Sequence, residues 1–145
     1  MASAREQALS ALATKITTLT TPTLFFQRNP DKEEIIPCNG LIEMFDGRPG
    51  QPEELLSPHT FIYDHSAELE VKYQHADGDT RQSAIDALLA SIGQLFESDR
   101  TLGGAVEWVE PDAPLFETED VDGGETVLVA VVPVNLRYST TNPLN

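Results

Sequence analysis

The clearest pattern along the chain is an alternation. From Phe61 to Tyr73, the residues Phe61, Tyr63, His65, Ala67, Leu69, Val71 and Tyr73 carry apolar or ring side chains. Ile62, Asp64, Ser66, Glu68, Glu70 and Lys72 stand between them and are mostly polar. A period of two belongs to a strand with one buried and one wet face, so a long strand is expected here. A second period marks two helices. Leu9, Leu12, Ile16 and Leu19 recur at three- and four-residue steps behind Ser3, which can cap a helix with Glu6 three residues on. This predicts a helix over about residues 4 to 19. Ile85, Leu88, Leu89, Ile92, Leu95 and Phe96 form another stripe after the turn "DGDT", with Asp79 as the expected cap, and predict a helix running to about Ser98.

The weaker signals fill the gaps. "TTLTTPT" ends the first helix, "TLFFQR" reads as a short strand, "NPDKEE" is a turn-rich break, and a further strand is expected around Leu41 to Phe45, closed by Asp46-Gly47. Residues 46 to 60 hold Pro49, Pro52 and Pro58 with no sustained period and read as a loop. In "DRTLGG", residues 99 to 104, a helix must reverse tightly into the strand "AVEWVE". Leu102 is expected to fold back on the helix end while Gly103 and Gly104 supply positive φ. The order helix, glycines, strand is the wrong one for a phosphate loop.

The last strand, "TVLVAVVPVNLRY", alternates Leu128, Ala130, Val132, Val134, Leu136 and Tyr138 on one face. Val127, Val129 and Val131 lie on the other, ahead of Pro133, which marks an edge or a bulge. Helices on a single face would leave those three valines bare, so a neighbouring subunit is one way to cover them. Val127, Val129 and Val131 are therefore candidates for an oligomer contact. Together the elements predict an α+β fold, an antiparallel sheet of about four to five strands, with mixed pairing open, carrying two helices on one face.

Size and charge sharpen this picture. At 145 residues the chain is expected to form one domain, residues 1 to 145. No apolar run approaches the roughly 20 residues that cross a bilayer, and "MASAREQALSALATK" lacks a continuous hydrophobic signal core, so a soluble protein, intracellular when made, is expected. The net charge of −15 lacks the Lys/Arg footprint of nucleic-acid binding. It is also uneven, with no Lys or Arg from Thr101 to Leu136. The stretch from Glu110 to Glu125 reads as a long acidic loop, and long loops in compact domains are often functional. Pro111, Asp112, Glu117, Glu119, Asp120 and Asp122 are its candidate docking residues, facing either a basic partner or DNA that slides past without sticking.

Chemistry is sparse. Cys38 is the only cysteine and reads as a small inert residue. His65 has the parity of a hydrogen-bonded core histidine. Were the strand to continue to His75, the two rings would stand roughly 33 Å apart, too far to share a metal. His59 lies beside Pro58 with no acid partner in sequence. "DHS" at 64 to 66 imitates a triad, but alternation sends His65 away from Asp64 and Ser66. "DGD" at 77 to 79 and "EDVDGGE" at 119 to 125 lack the ligand ladder of a calcium loop. No catalytic, cofactor-binding or metal-ligating residue emerges, and an enzyme is not expected.

The order of parts nevertheless resembles a known family. The helix "ALSALATKI", the strand "FFQRN", the turn "FDG", the strand "YDHSAELEV", the helix "AIDALLASIGQLFESDRTLGG" leading into "VEWVEP", and the closing "VPVNLRYSTTNP" are similar to the tail-terminator, or tail-completion, proteins of long-tailed phages and phage-like gene transfer particles. The resemblance implies a structural virion protein, without cofactor or catalytic residues, that forms a homo-hexameric ring on the tail tube. It implies contacts with the tail tube protein and the head-side connector protein, DNA passing through without specific binding, and no membrane partner. It places the protein in the tail or neck of the particle, made in the host cytoplasm. The alternatives are another head-tail connector (neck) protein of the same particle, an acidic protein-binding module, and a small enzyme built on His65 or His75.

Overall fold

A computed structural model describes residues 2–31 and 35–145. Their elements run α1 (Ala4–Thr17), β1 (Phe25–Arg28), β2 (Leu41–Arg48), β3 (Glu53–Leu56), β4 (His59–Gln74), α2 (Gly78–Ser98), β5 (Trp108–Pro111), β6 (Leu115–Glu119) and β7 (Val127–Thr140), with a 3-10 turn at Leu102–Gly104 after α2. This is an α+β fold with both helices on one face of a single sheet. The sheet has seven strands rather than four or five, in the order β1-β2-β4-β7-β5, with β3 also on β4 and β6 also on β7. It is mixed, because β1 pairs parallel with β2 while every other pair is antiparallel.

The two extra strands correct the sequence reading. β3 lies inside residues 46 to 60, and β6 inside the stretch expected to be an acidic loop. Every residue of both is exposed, so neither carries a one-sided apolar pattern, and each is a strand only because β4 or β7 offers it a ladder. Proline spacing hid the first and acidic residues the second.

The spine is the pair β4 and β7, in register from Phe61 opposite Thr140 to Gln74 opposite Val127. Odd residues of β4 and even residues of β7 face the helices. They enclose Leu9, Leu12 and Ile16 of α1 and Ile85, Ile92 and Phe96 of α2 in one core. Phe96 is the largest fully buried side chain, and burying a side chain of that kind contributes roughly 1.5–3 kcal/mol. β2 joins β4 through a bulge between Phe45 and Arg48. Gly47 makes it possible, with φ +67 and a backbone so near β4 that a Cβ would meet the Ser66 carbonyl oxygen at 1.8 Å.

Caps and turns follow local chemistry. Ser3 Oγ accepts from the Glu6 N–H at 3.1 Å, but the Glu6 carboxylate turns outward to Arg28 instead of closing a capping box. α1 stops at Thr17, where Thr17, Thr18 and Thr20 each donate a hydroxyl to a carbonyl three residues back. The cap of α2 is Asp77, whose Oδ2 accepts from the Thr80 N–H and hydroxyl, and Asp79 instead falls in the first turn. The reversal after α2 is as expected: Leu102 is buried, and Leu102, Gly103 and Gly104 all have positive φ. Asp99 Oδ1 accepts from the Gly103 N–H and holds the turn closed.

Candidate interaction surfaces

The histidines define what the interior can do. His65 is buried on the helix face, its Nε2 against the Asp46 carbonyl oxygen and its Nδ1 2.9 Å from the Tyr138 hydroxyl. A carbonyl only accepts, so Nε2 carries the proton and Nδ1 accepts from Tyr138. Both ring nitrogens are thereby used, leaving neither for a metal or a substrate proton. Burial lowers the His65 pKa and keeps the ring neutral, and burial also pushes Tyr138 up to about 12.

The chain of contacts continues outward. Arg28 donates two hydrogen bonds to Asp46 and two to Glu6, all between 2.8 and 3.0 Å. These bonds hold both carboxyls below the usual range. Glu6, Arg28, Asp46, His65 and Tyr138 thus bolt α1, β1, β2, β4 and β7 together. Asp64 and Ser66 face the opposite side, as alternation requires, and Asp64 accepts from Arg137. β4 ends before His75, whose Nδ1 accepts from the Asp77 N–H. His59 opens β4 and stands 3.8 Å from Glu54 across the hairpin, an acid partner that sequence order concealed. Cys38 is exposed. Among the described residues, no group of three or more His, Cys, Asp or Glu is placed to hold one metal ion.

The face away from the helices carries more charge. A cleft of about 240 Å³ lies there between Ile35, Ile36, Leu41, Val121 and Val127, with Glu43, Lys72 and Glu119 on its walls. Lys72 Nζ is 2.6 Å from Glu43 Oε1, and both side chains are largely buried. Burial opposes the Lys72 charge, but Glu43, Glu70 and Glu119 outweigh it and raise the pKa. The ammonium so held neutralises carboxylates gathered from β2, β4 and β6. Nearby, Arg137 serves Asp64 on β4, Glu53 on β3 and Glu107 before β5, tying the strands across this face.

The valines proposed as a subunit contact lie here. Val127 and Val129 are only 3% and 1% exposed within the chain itself. Val127 lines the cleft, and Val129 lies between Lys72 of β4 and Glu117 of β6. The argument that they need an outside cover therefore applies to neither, and Val131 alone is partly open. In the sheet Val127 is flanked by Gln74 and Glu119 and Val129 by Lys72 and Glu117, the two glutamates coming from β6, a strand that no period announced.

The acidic docking residues divide. Pro111 ends β5, and the Asp112 N–H donates to the Pro133 carbonyl at 2.9 Å. Glu117 and Glu119 are exposed on β6, and Asp120 and Asp122 are exposed in the turn beyond. With them stand Leu115, 65% exposed, and Phe116, 52% exposed. A second apolar display, also unread in the sequence, is the β3–β4 hairpin, where Leu55 is half exposed and Leu56 is 79% exposed. At the other end of β4, an apolar groove of about 310 Å³ opens between Leu24, Tyr73, Ala84, Ala87 and Leu88.

No helix among the described residues is long and apolar enough to cross a membrane. No family model matches the chain, and no curated protein does.

Proposed function

We propose that this protein is a structural ring subunit of the tail-terminator type, capping the tail tube of a phage or phage-like particle and joining it to the head-side connector. The observation that carries the reading is a pair of unlike apolar features at opposite ends of β4. The hairpin with Leu55 and Leu56 stands at its start, and the groove beside Tyr73 at its end. Thr60 and Tyr73 are thirteen positions apart, about 43 Å at strand rise. Two different apolar patches on one subunit can meet across copies only in a heterologous contact, and such contacts close into rings when the rotation allows.

Other features support the same reading. Arg137 anchors Glu53 and so stiffens the hairpin base. His65 and Lys72 do structural work rather than catalysis. The net charge of −15 suits a passage that DNA crosses without binding. That charge also makes subunits repel at low ionic strength, where the Debye length is about 30 Å at 0.01 M against about 8 Å at 0.15 M, so assembly strengthens as salt rises.

The test is the mass of the purified protein over a concentration series at moderate salt, by light scattering during size exclusion, followed by addition to polymerising tail-tube protein of the same particle. A ring, or a monomer that closes into one on the tube, with electron micrographs showing it at one tube end and tubes of arrested length, is the expected result. Leu56→Asp should leave folding intact and abolish the ring. A strict monomer that neither binds tube ends nor arrests growth would overturn the reading.

A further inference from the structure

The outer edge formed by β5 and β6 is the most unusual surface on the molecule. The two strands lie end to end along β7, β5 against residues 134–137 and β6 against residues 127–131, and no described strand pairs with their far side. Natural edges are blunted by charge, proline or shortness, and Pro111, Pro114 and the acids do this here. Yet the same edge carries Trp108, Leu115, Phe116 and Val121, all large apolar residues left exposed. A purely protective edge has no reason to display them.

Charge selects the occupant. Between Trp108 and Asp122 there are six carboxylates and no Lys or Arg. Glu117 and Glu119 share the sheet face of Leu115, while Phe116 points to the helix side. A second copy of this chain, with 24 acids against nine bases, is repelled from such an edge. An incoming strand with alternating apolar and basic residues would set its backbone on the free ladder, its apolar residues on the helix-side face by Phe116 and its cations on the opposite face by Glu117 and Glu119, their aliphatic stems along Leu115.

We propose that the outer edge of β6 is a docking site for an extended basic segment of another protein, added to the sheet as a further strand. The inference goes beyond the tail-terminator reading and stands on the free edge and its charge, so either can fail without the other. The acids act as a filter, excluding self-pairing and admitting a basic partner.

The experiment uses the full chain and three synthetic octapeptides carrying a fluorophore. One alternates Val and Lys, one alternates Val and Glu, and one is the Val-Lys peptide with two central prolines. Anisotropy titrations at low and moderate salt are paired with hydrogen exchange of the 115–119 amides. The Val-Lys peptide is expected to bind saturably, to slow exchange in β6, and to weaken as salt rises. Glu117→Lys/Glu119→Lys should weaken it by about tenfold or more, since two attractive cross-strand pairs become repulsive. Equal binding of the Val-Glu peptide overturns the charge argument, and equal binding of the proline peptide overturns strand addition in favour of loose electrostatic contact. Absence of binding or of protection at 115–119 overturns the site. Self-association that Glu117→Lys/Glu119→Lys abolishes would make a second copy the occupant and overturn the choice of partner.

Discussion

Replacing Arg28 with Met tests the polar chain that bolts the helix layer to the sheet. The guanidinium makes paired contacts with Asp46 and with Glu6, and the three side chains are 25%, 30% and 45% exposed in that order. Hydrogen bonds to charged groups contribute roughly 1.5–3 kcal/mol and exposed ion pairs roughly 0.2–1 kcal/mol. The Asp46 side, better shielded, belongs near the bottom of the first range, at about 1.5 kcal/mol, and the Glu6 side within the second, at about 0.5 kcal/mol. Arg28→Met should therefore cost about 2 kcal/mol at pH 7, or about 4–8 °C in Tm for a chain of this size. Met keeps the apolar stem, so lost packing contributes little.

The pH dependence gives a second check. Arg28 holds Glu6 and Asp46 below the ordinary carboxylate range. Groups depressed in the folded state stabilise it fully above their unfolded values, about 3.9–4.3. That stabilisation is lost as pH falls through the lowered folded values. Urea unfolding of both proteins from pH 7 to pH 2 should show the gap closing below about pH 4. A gap under about 0.5 kcal/mol at pH 7, or one that persists undiminished to pH 2, would refute the assignment of the stabilisation to these ion pairs.

Three further outcomes are expected. Burial lowers the His65 pKa, so its contribution is present above about 6.5 and lost as pH falls from there through the folded value. His65→Gln should flatten that part of the urea-midpoint profile, and an unchanged profile would show that His65 is not its source. Tyr138→Phe strands the His65 Nδ1 without its donor and should cost about 1–3 kcal/mol, with the native circular dichroism spectrum retained. The same chemical change should have opposite signs at two glycines where a Cβ meets nothing within 4 Å. Gly104→Ala, at φ +94, should destabilise by about 1–2 kcal/mol, whereas Gly93→Ala inside α2 should stabilise by about 0.5–1 kcal/mol.

The tail-terminator proposal rests on the order of elements and on two unlike apolar features at opposite ends of β4, and the proposed β6 edge adds a route for a basic partner. The β3–β4 hairpin and the β6 edge both display exposed residues in segments that showed no period. This is a general property of surfaces that wait for a partner: their apolar residues are not organised against their own core, so the rules that reveal helices and strands pass over them.

What the sequence determined by itself was every element with one face against the core. β4, β7 and α2 were legible because burial on one side imposes a period of two or 3.6 on Tyr63 to Val71, Leu128 to Tyr138 and Ile85 to Phe96. The Leu102–Gly103–Gly104 turn was legible because positive φ restricts residue choice. Tertiary structure alone decided the rest. β3 and β6 exist through backbone ladders to β4 and β7, which leave no side-chain signature. Lys72 and Glu43 met because β2 pairs with β4, and His65 met Tyr138 across 73 positions. Val127 and Val129 looked bare in one dimension and are covered in three, because a strand's neighbours are set by long-range pairing that local periodicity does not encode.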